Sequence, residues 1–285
     1  MKALLHDLLH TRMDPPARIW FEKALEAANA PVNENVLLGY YAGASRRMGK
    51  RALSLGEEEQ ARARAMDPEL PLDHWGVDEA ARALVLLSLD HLAPDDFAHR
   101  VLQCYDLGDS REQESWLRGL ALLPHCERFL STAVDACRTN IIPLFEAIAC
   151  ENPYPSRQFP ELNFNQMVLK CLFNAIAVNR IIGLEKRLNR ELSRMADDYV
   201  SEREAAGRTV PTDIWMVLAP CIESEGLSRV HRYLHHENSD HRLWAARGLG
   251  FTANGESRRV LAGQREIERD GRVKEAIETS LARLS

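Results

Sequence analysis

Apolar residues recur every three or four positions along almost all of this chain and hardly ever alternate, which is the 3.6-residue signature of amphipathic helices. Short Pro, Gly, Asn or Asp signals separate one apolar run from the next. The pattern predicts helices at about residues 15–30, 33–50, 76–91, 94–106, 110–123, 126–137, 140–150, 161–178, 185–206, 211–222, 224–236, 240–250, 256–268 and 271–284, and no strand. Ser54 to Pro71, rich in Glu and Arg and broken by Pro68 and Pro71, reads as a mobile linker or an exposed helix. The fold class is therefore all-α, with residues 1–285 read as a single helical domain.

The helices fall into antiparallel pairs. Leu227 to Gly250 is a helix, a polar turn at Glu237 to Asp240, and a second helix; Leu261 to Leu284 repeats the plan with its turn at Asp270 and Gly271, about 32 residues on. His125 to Ile148 offers a third pair, and Leu102 to Leu123 a fourth that overlaps it. Pairs over about 102–150 and 224–284 resemble HEAT-like repeats of an α-solenoid, where stacking buries the apolar face that no pair can bury alone. No clean period crosses the middle of the chain.

That middle holds NPYPSRQFPELNFNQMVLKCLFNAIAVNRIIGL, Asn152 to Leu184. Pro153, Pro155 and Pro160 forbid helix and push the residues before them into extended conformations. With Gln166 at zero on a helical wheel, Asn163, Lys170 and Asn174 lie within about 80° on one narrow polar stripe, and the remaining positions, Phe173 included, read as apolar. Asn165 points into the oily arc, where a carboxamide needs partners. The nearby proline turn is the expected one, which makes Asn165 a staple. Lys170 and Arg180 are the only charges between Asn163 and Leu184. With Tyr154, Arg157, Asn165, Gln166 and Asn174 they form a candidate site for an anionic or polyol ligand. The bland alternative is a lysine reaching solvent or a distant glutamate. The helix that follows is read with Leu184, Leu188, Leu192, Met195 and Tyr199 as its inward stripe.

A length of 285 residues, 45% apolar and 27% charged, is that of a globular protein able to bury a large core. A net charge of −6 spread along the chain provides no basic stripe for nucleic acid. Cys104, Cys126, Cys137, Cys150, Cys171 and Cys221 include no pair at metal-ligand spacing and suit a reducing cytoplasm. The N-terminal MKALLHDLLHTRMDPP is too short and interrupted for a signal peptide, and no membrane-spanning run follows. His231, His235, His236 and His241 raise the question of zinc, but their spacing does not close a tetrahedron within one helical pair, and no metal is expected. Asp95 with Asp96 and Asp197 with Asp198 lack the DDxxD pattern of diphosphate–magnesium sites. There is no Gly-rich phosphate loop and no GxSxG, so no cofactor and no catalytic residue is assigned.

NPYPSRQF, FNQMVLKCLF, RIIGLEKRLN and DYVSEREAAGR resemble the EboA family of metabolite traffic proteins, over a core from about Asn152 to Trp215, with weaker helix-level similarity on either side. The resemblance marks Asn152, Tyr154, Asn165, Gln166 and Lys170 without giving them roles. It implies a soluble cytoplasmic protein working with other products of its gene cluster, which look like a membrane prenyltransferase, a sugar-phosphate cyclase, a TatD-like hydrolase and a xylose-isomerase-like barrel. Three readings follow: a non-catalytic scaffold or adaptor in small-molecule biosynthesis and trafficking, a carrier that binds the metabolite itself, or an uncharacterised enzyme.

Overall fold

The computed structural model describes residues 1–30, 33–222, 224–252 and 255–284. Among them there are eighteen α-helices, five short 3-10 turns and no strand, only one isolated antiparallel bridge between Ala52 and Gly76. The chain divides into two compact units, Met1–Pro160 and Glu161–Ser285.

The first unit contains α1 (Lys2–His10), α2 (Pro15–Asn29), α3 (Glu34–Met48), α4 (Glu57–Met66), α5 (Val77–Leu87), α6 (Pro94–Asp106), α7 (Ser110–Gly119), α8 (Leu130–Ala136), α9 (Ile142–Ala149) and α10 (Tyr154–Gln158). Helix α5 is its axis: every one of its residues is buried, and α1, α2, α3 and α7 pack around it. Helix α7 in turn packs on α9, with α6 beside α7 and α8 beside α9.

Two sequence expectations change here, and a third is decided between its two alternatives in favour of an exposed helix. Helix α1 was not anticipated, because His6, Asp7 and His10 interrupt its apolar run; Leu4, Leu5, Leu8 and Leu9 are nevertheless buried on one face. The segment from Ser54 to Pro71 contains the mostly exposed helix α4, held by an ion pair between Arg12 and Glu59 at 2.5 Å. The proline turn contains α10, since a proline in the first turn has no helical N–H to lose and Pro155 sits there.

The second unit contains α11 (Glu161–Phe173), α12 (Leu184–Arg187), α13 (Arg190–Ala205), α14 (Ile214–Leu218), α15 (Ser224–Tyr233), α16 (Ser239–Leu249), α17 (Gly255–Ile267) and α18 (Gly271–Arg283). Helices α14, α16 and α18 pack in series; α13 lies on α14, α15 on α16 and α17 on α18. At Gly248 of α16 the backbone comes so close to the Trp215 carbonyl that a Cβ would collide with it, so a glycine sets this spacing.

Helix α11 stops at Phe173, short of the expected 178. Ala175 adopts a left-handed φ of 56°, and the Ile176 N–H donates to the Cys171 carbonyl at 2.8 Å, the closing geometry of a Schellman cap. The expected helix at 185–206 is two helices. Leu188 turns extended, and Asn189 caps α13 by accepting from the Leu192 N–H at 2.8 Å.

Candidate functional site

The residues singled out in the sequence belong to two sets, each within its own unit. In the first, Asn152 is 1% exposed; its amide donates to the Leu117 and Ala147 carbonyls at 2.9 Å each, and its oxygen accepts the Tyr154 N–H at 3.0 Å. The Tyr154 hydroxyl donates to the Cys126 carbonyl at 2.8 Å, and burial raises its pKa. Arg157 grips Asp67 at 2.7 and 2.9 Å and Glu69 at 2.9 and 3.1 Å, which ties α10 to the chain after α4. The Arg157 hydrogen bond is the largest reason that the Asp67 carboxyl titrates below its ordinary range. Tyr154 and Arg157 thus hold structure in place.

In the second unit Asn165 is 1% exposed, as the helical wheel required. Its partner is Asn189: the two carboxamides exchange hydrogen bonds at 2.9 and 3.2 Å. Asn189 therefore caps α13 and braces α11 together. The staple exists, but the bonds seen run to a helix start 24 residues downstream rather than to the proline turn. Taking 185–206 as one helix hid that start.

The polar stripe is a real outer face: Gln166 and Asn174 are exposed, and Lys170 is partly so. It is less polar than expected. Leu162 is 59% and Phe173 56% exposed, although Phe173 was placed in the oily arc. Seven residues beyond Gln166, Phe173 sits only about 20° from it on a helical wheel, on the stripe itself. Its ring meets Tyr199 edge-on with centroids 4.5 Å apart, and the Arg203 guanidinium lies 5.8 Å from the Tyr199 ring. Of the inward stripe assigned to this stretch, Leu184 and Leu192 are buried, whereas Leu188, Met195 and Tyr199 are half-buried; the buried face of α13 is Leu192, Ser193, Ala196 and Val200. Arg180, in the 3-10 turn Val178–Arg180, is also partly exposed. The Val178 N–H in that turn donates to Asp213 at 2.8 Å.

The histidines of the last helices each have a local partner. The Trp215 indole donates to His241 Nδ1 at 2.8 Å, and burial followed by the neighbouring His236 lowers the His241 pKa to about 4. His236 stacks on Tyr233 at 5.1 Å; His235 Nδ1 faces Gln264 Oε1 at 2.7 Å; His231 Nε2 lies 3.4 Å from the Ser257 hydroxyl. Among the described residues no three His, Cys, Asp or Glu side chains gather closely enough to hold a metal ion. Of the paired aspartates, Asp95 contacts Arg128 and Asp198 contacts Arg194, each at 2.6 Å, and Asp197 pairs with Arg229.

The sequence reading missed a buried ionic cluster on α5. Asp78 is 0% and Arg82 1% exposed. Asp78 accepts from the Ser45 hydroxyl at 2.6 Å, from Arg82 at 3.1 Å and from Arg111 at 3.2 Å. Arg82 also donates to the Tyr41 carbonyl at 3.0 Å, to Ser45 at 3.0 Å and to Ser115 at 3.1 Å. Glu79 accepts the Gly76 N–H at 2.6 Å and faces Arg118 at 3.3 Å and Arg111 at 3.6 Å. Every charge is matched, which describes a scaffold of the core rather than a poised acid or base.

Comparison with known protein families gives a match over most of the chain. The family model for metabolite traffic protein EboA covers residues 1–219, reaching well before the motif segment and ending just after α14. No curated protein and no solved structure matches the chain.

Proposed function

Because the chain belongs to the EboA family of metabolite traffic proteins, we propose that it serves metabolite traffic as a non-catalytic helical adaptor, docking other proteins of the pathway on the outer face of α11. The observation that carries this reading is the exposure of Leu162 and Phe173 on the helix bearing the FNQMVLK motif, with Tyr199 against Phe173 and Arg203 over the Tyr199 ring. Exposed aromatic, aliphatic and arginine side chains around a few polar groups are the chemistry of an interface hot spot. Tyr154 and Asn165 meanwhile spend their polar groups on internal bonds, which removes two of the donors that the carrier reading needs.

The serial packing of α14, α16 and α18, each with an outer companion, supports a HEAT-like stack. The partners proposed are other products of the same gene cluster, the membrane prenyltransferase first among them. No described helix is long and apolar enough to cross a membrane, and the adaptor is taken to act from the cytoplasm. The test is co-purification from the native host of tagged wild type beside Leu162→Asp/Phe173→Asp, with circular dichroism as the control for fold. The reading expects the prenyltransferase with the wild type and its loss from the folded variant. Equal recovery with both refutes it.

A further inference from the structure

On the first unit, a groove of about 410 Å³ runs along one face of α3, lined by Trp20, Gly39, Gly43, Arg46 and Arg47. The helical repeat explains its layout: Gly39, Gly43, Arg46 and Arg47 fall within about 100° of one another and span about 12 Å of helix. At Gly43 the Trp20 ring lies against the glycine, 3.1 Å from where a Cβ would stand. One turn earlier, at Gly39, nothing lies within 4 Å of that position, so the floor is bare backbone. Tyr40 supports the Trp20 ring, with centroids 5.6 Å apart. The groove thus has an aromatic wall, an open glycine floor and two cations at one end.

Those cations are notable for their lack of partners. Arg46 and Arg47 are exposed, and neither makes a hydrogen bond or an ion pair with the described residues. Arg46 exerts only a distant pull on the Glu112 carboxyl, whose pKa burial raises. In a chain of net charge −6, other arginines such as Arg82, Arg111, Arg157 and Arg242 are matched with carboxylates. The ordinary role of cations in a last helical turn is to complement the helix dipole. That role accounts for their charge but leaves the bare floor and the Trp20 wall beside them unexplained.

We infer that this groove is a binding site for a small organic anion with a phosphate or carboxylate head and a flat or apolar body, the head held by Arg46 and Arg47 and the body laid over Gly39 against Trp20. Guanidinium pairs recognise such heads through charge-assisted hydrogen bonds, and the volume falls within the range of about 300–1,000 Å³ typical of small-molecule sites. The assignment is independent of the adaptor reading, since it uses other helices and stands whether or not α11 docks a protein.

The test uses the full chain and 1-naphthyl phosphate as probe in titration calorimetry, with inorganic phosphate and 1-naphthol as head-only and body-only controls. Wild type is expected to bind the probe at least about ten-fold more tightly than either control, because both ends of the groove contribute. Arg46→Met/Arg47→Met removes the head contacts, and Gly39→Leu fills the floor while leaving both arginines. Each is expected to weaken the probe about ten-fold or more with an unchanged helical spectrum; both sites are exposed, and the leucine enters open space. Failure of wild type to bind at about 1 mM, or unchanged affinity in either variant, overturns the assignment. Sedimentation with phosphatidylcholine vesicles containing phosphatidate separates a free ligand from a lipid surface. Vesicle binding lost in the arginine variant but retained in Gly39→Leu places the guanidiniums on a membrane and also overturns the groove.

Discussion

Replacing Arg82 by Met tests whether the buried charges of α5 hold the first unit together. The methionine keeps most of the stem volume and removes a guanidinium that is 1% exposed and makes four hydrogen bonds. Three neutral acceptors lose a charged donor, and Asp78 keeps the Ser45 hydroxyl and Arg111 but not its nearest buried cation. Breaking a buried pair on one side costs about 3–5 kcal/mol, against a total stability of about 5–15 kcal/mol for a native protein. Arg111, remaining at 3.2 Å, favours the lower half of that range.

Urea unfolding followed by circular dichroism measures the loss, and the cycle with Asp78→Leu apportions it. The double variant should recover a large part of the single loss, since a buried pair exchanged for apolar groups is often nearly neutral. Acid adds a second signature. Burial pushes the Asp78 carboxyl up, but the Ser45 hydroxyl and the Arg111 and Arg82 guanidiniums outweigh it and leave the pKa below its ordinary 3.8. A depressed carboxyl pKa supplies stability above pH 3.8 that is lost as pH falls through the folded-state value, and this loss should shrink in Arg82→Met. A single-variant loss under about 1 kcal/mol, or a strictly additive cycle, refutes the account.

In the second unit, burial holds His241 neutral with a pKa of about 4 against an ordinary 6.5. Stability should therefore fall by about 2–3 kcal/mol as pH drops from 6.5 to 4, and pH-resolved unfolding of His241→Asn should be flatter across that window. Glu268, hydrogen-bonded by Arg242 at 2.9 Å through both oxygens, titrates at about 2 instead of 4.5. Its contribution is complete above pH 4.5 and lost towards pH 2, and Glu268→Gln should cost about 2 kcal/mol at neutral pH in urea unfolding. Ala175→Gly should stabilise by about 1 kcal/mol, read as a higher melting temperature, because a left-handed residue carries no penalty once its Cβ is gone.

Element type was legible because burial in a helical protein follows a local period, and the positions from Asn163 to Leu172 keep the burial pattern of one helix. What the sequence hides is contact at a distance. Asp78, Glu79 and Arg82 read locally as an acidic first turn with a favourable i,i+4 partner; Ser45, Arg111 and Ser115, about 33 positions to either side, leave no local trace of their convergence. Asn165 announced that it needed a partner without saying which, and Asn189 was disguised by a helical pattern that runs straight through a break. Phe173 is different, because its position on the stripe was available from the angle alone. Residue type and helical angle disagree at Phe173, and its exposure follows the angle.

The cluster around α5 also constrains how this protein can change over generations. Ser45, Asp78, Arg82, Arg111 and Ser115 satisfy one another on three helices, so a substitution at any one leaves at least one of the others short of a partner. Single steps away from the set are selected against even where a wholly apolar replacement would fold as well. Among relatives these five positions should be inherited as a block, kept together or exchanged together, while the exposed residues around them drift one at a time.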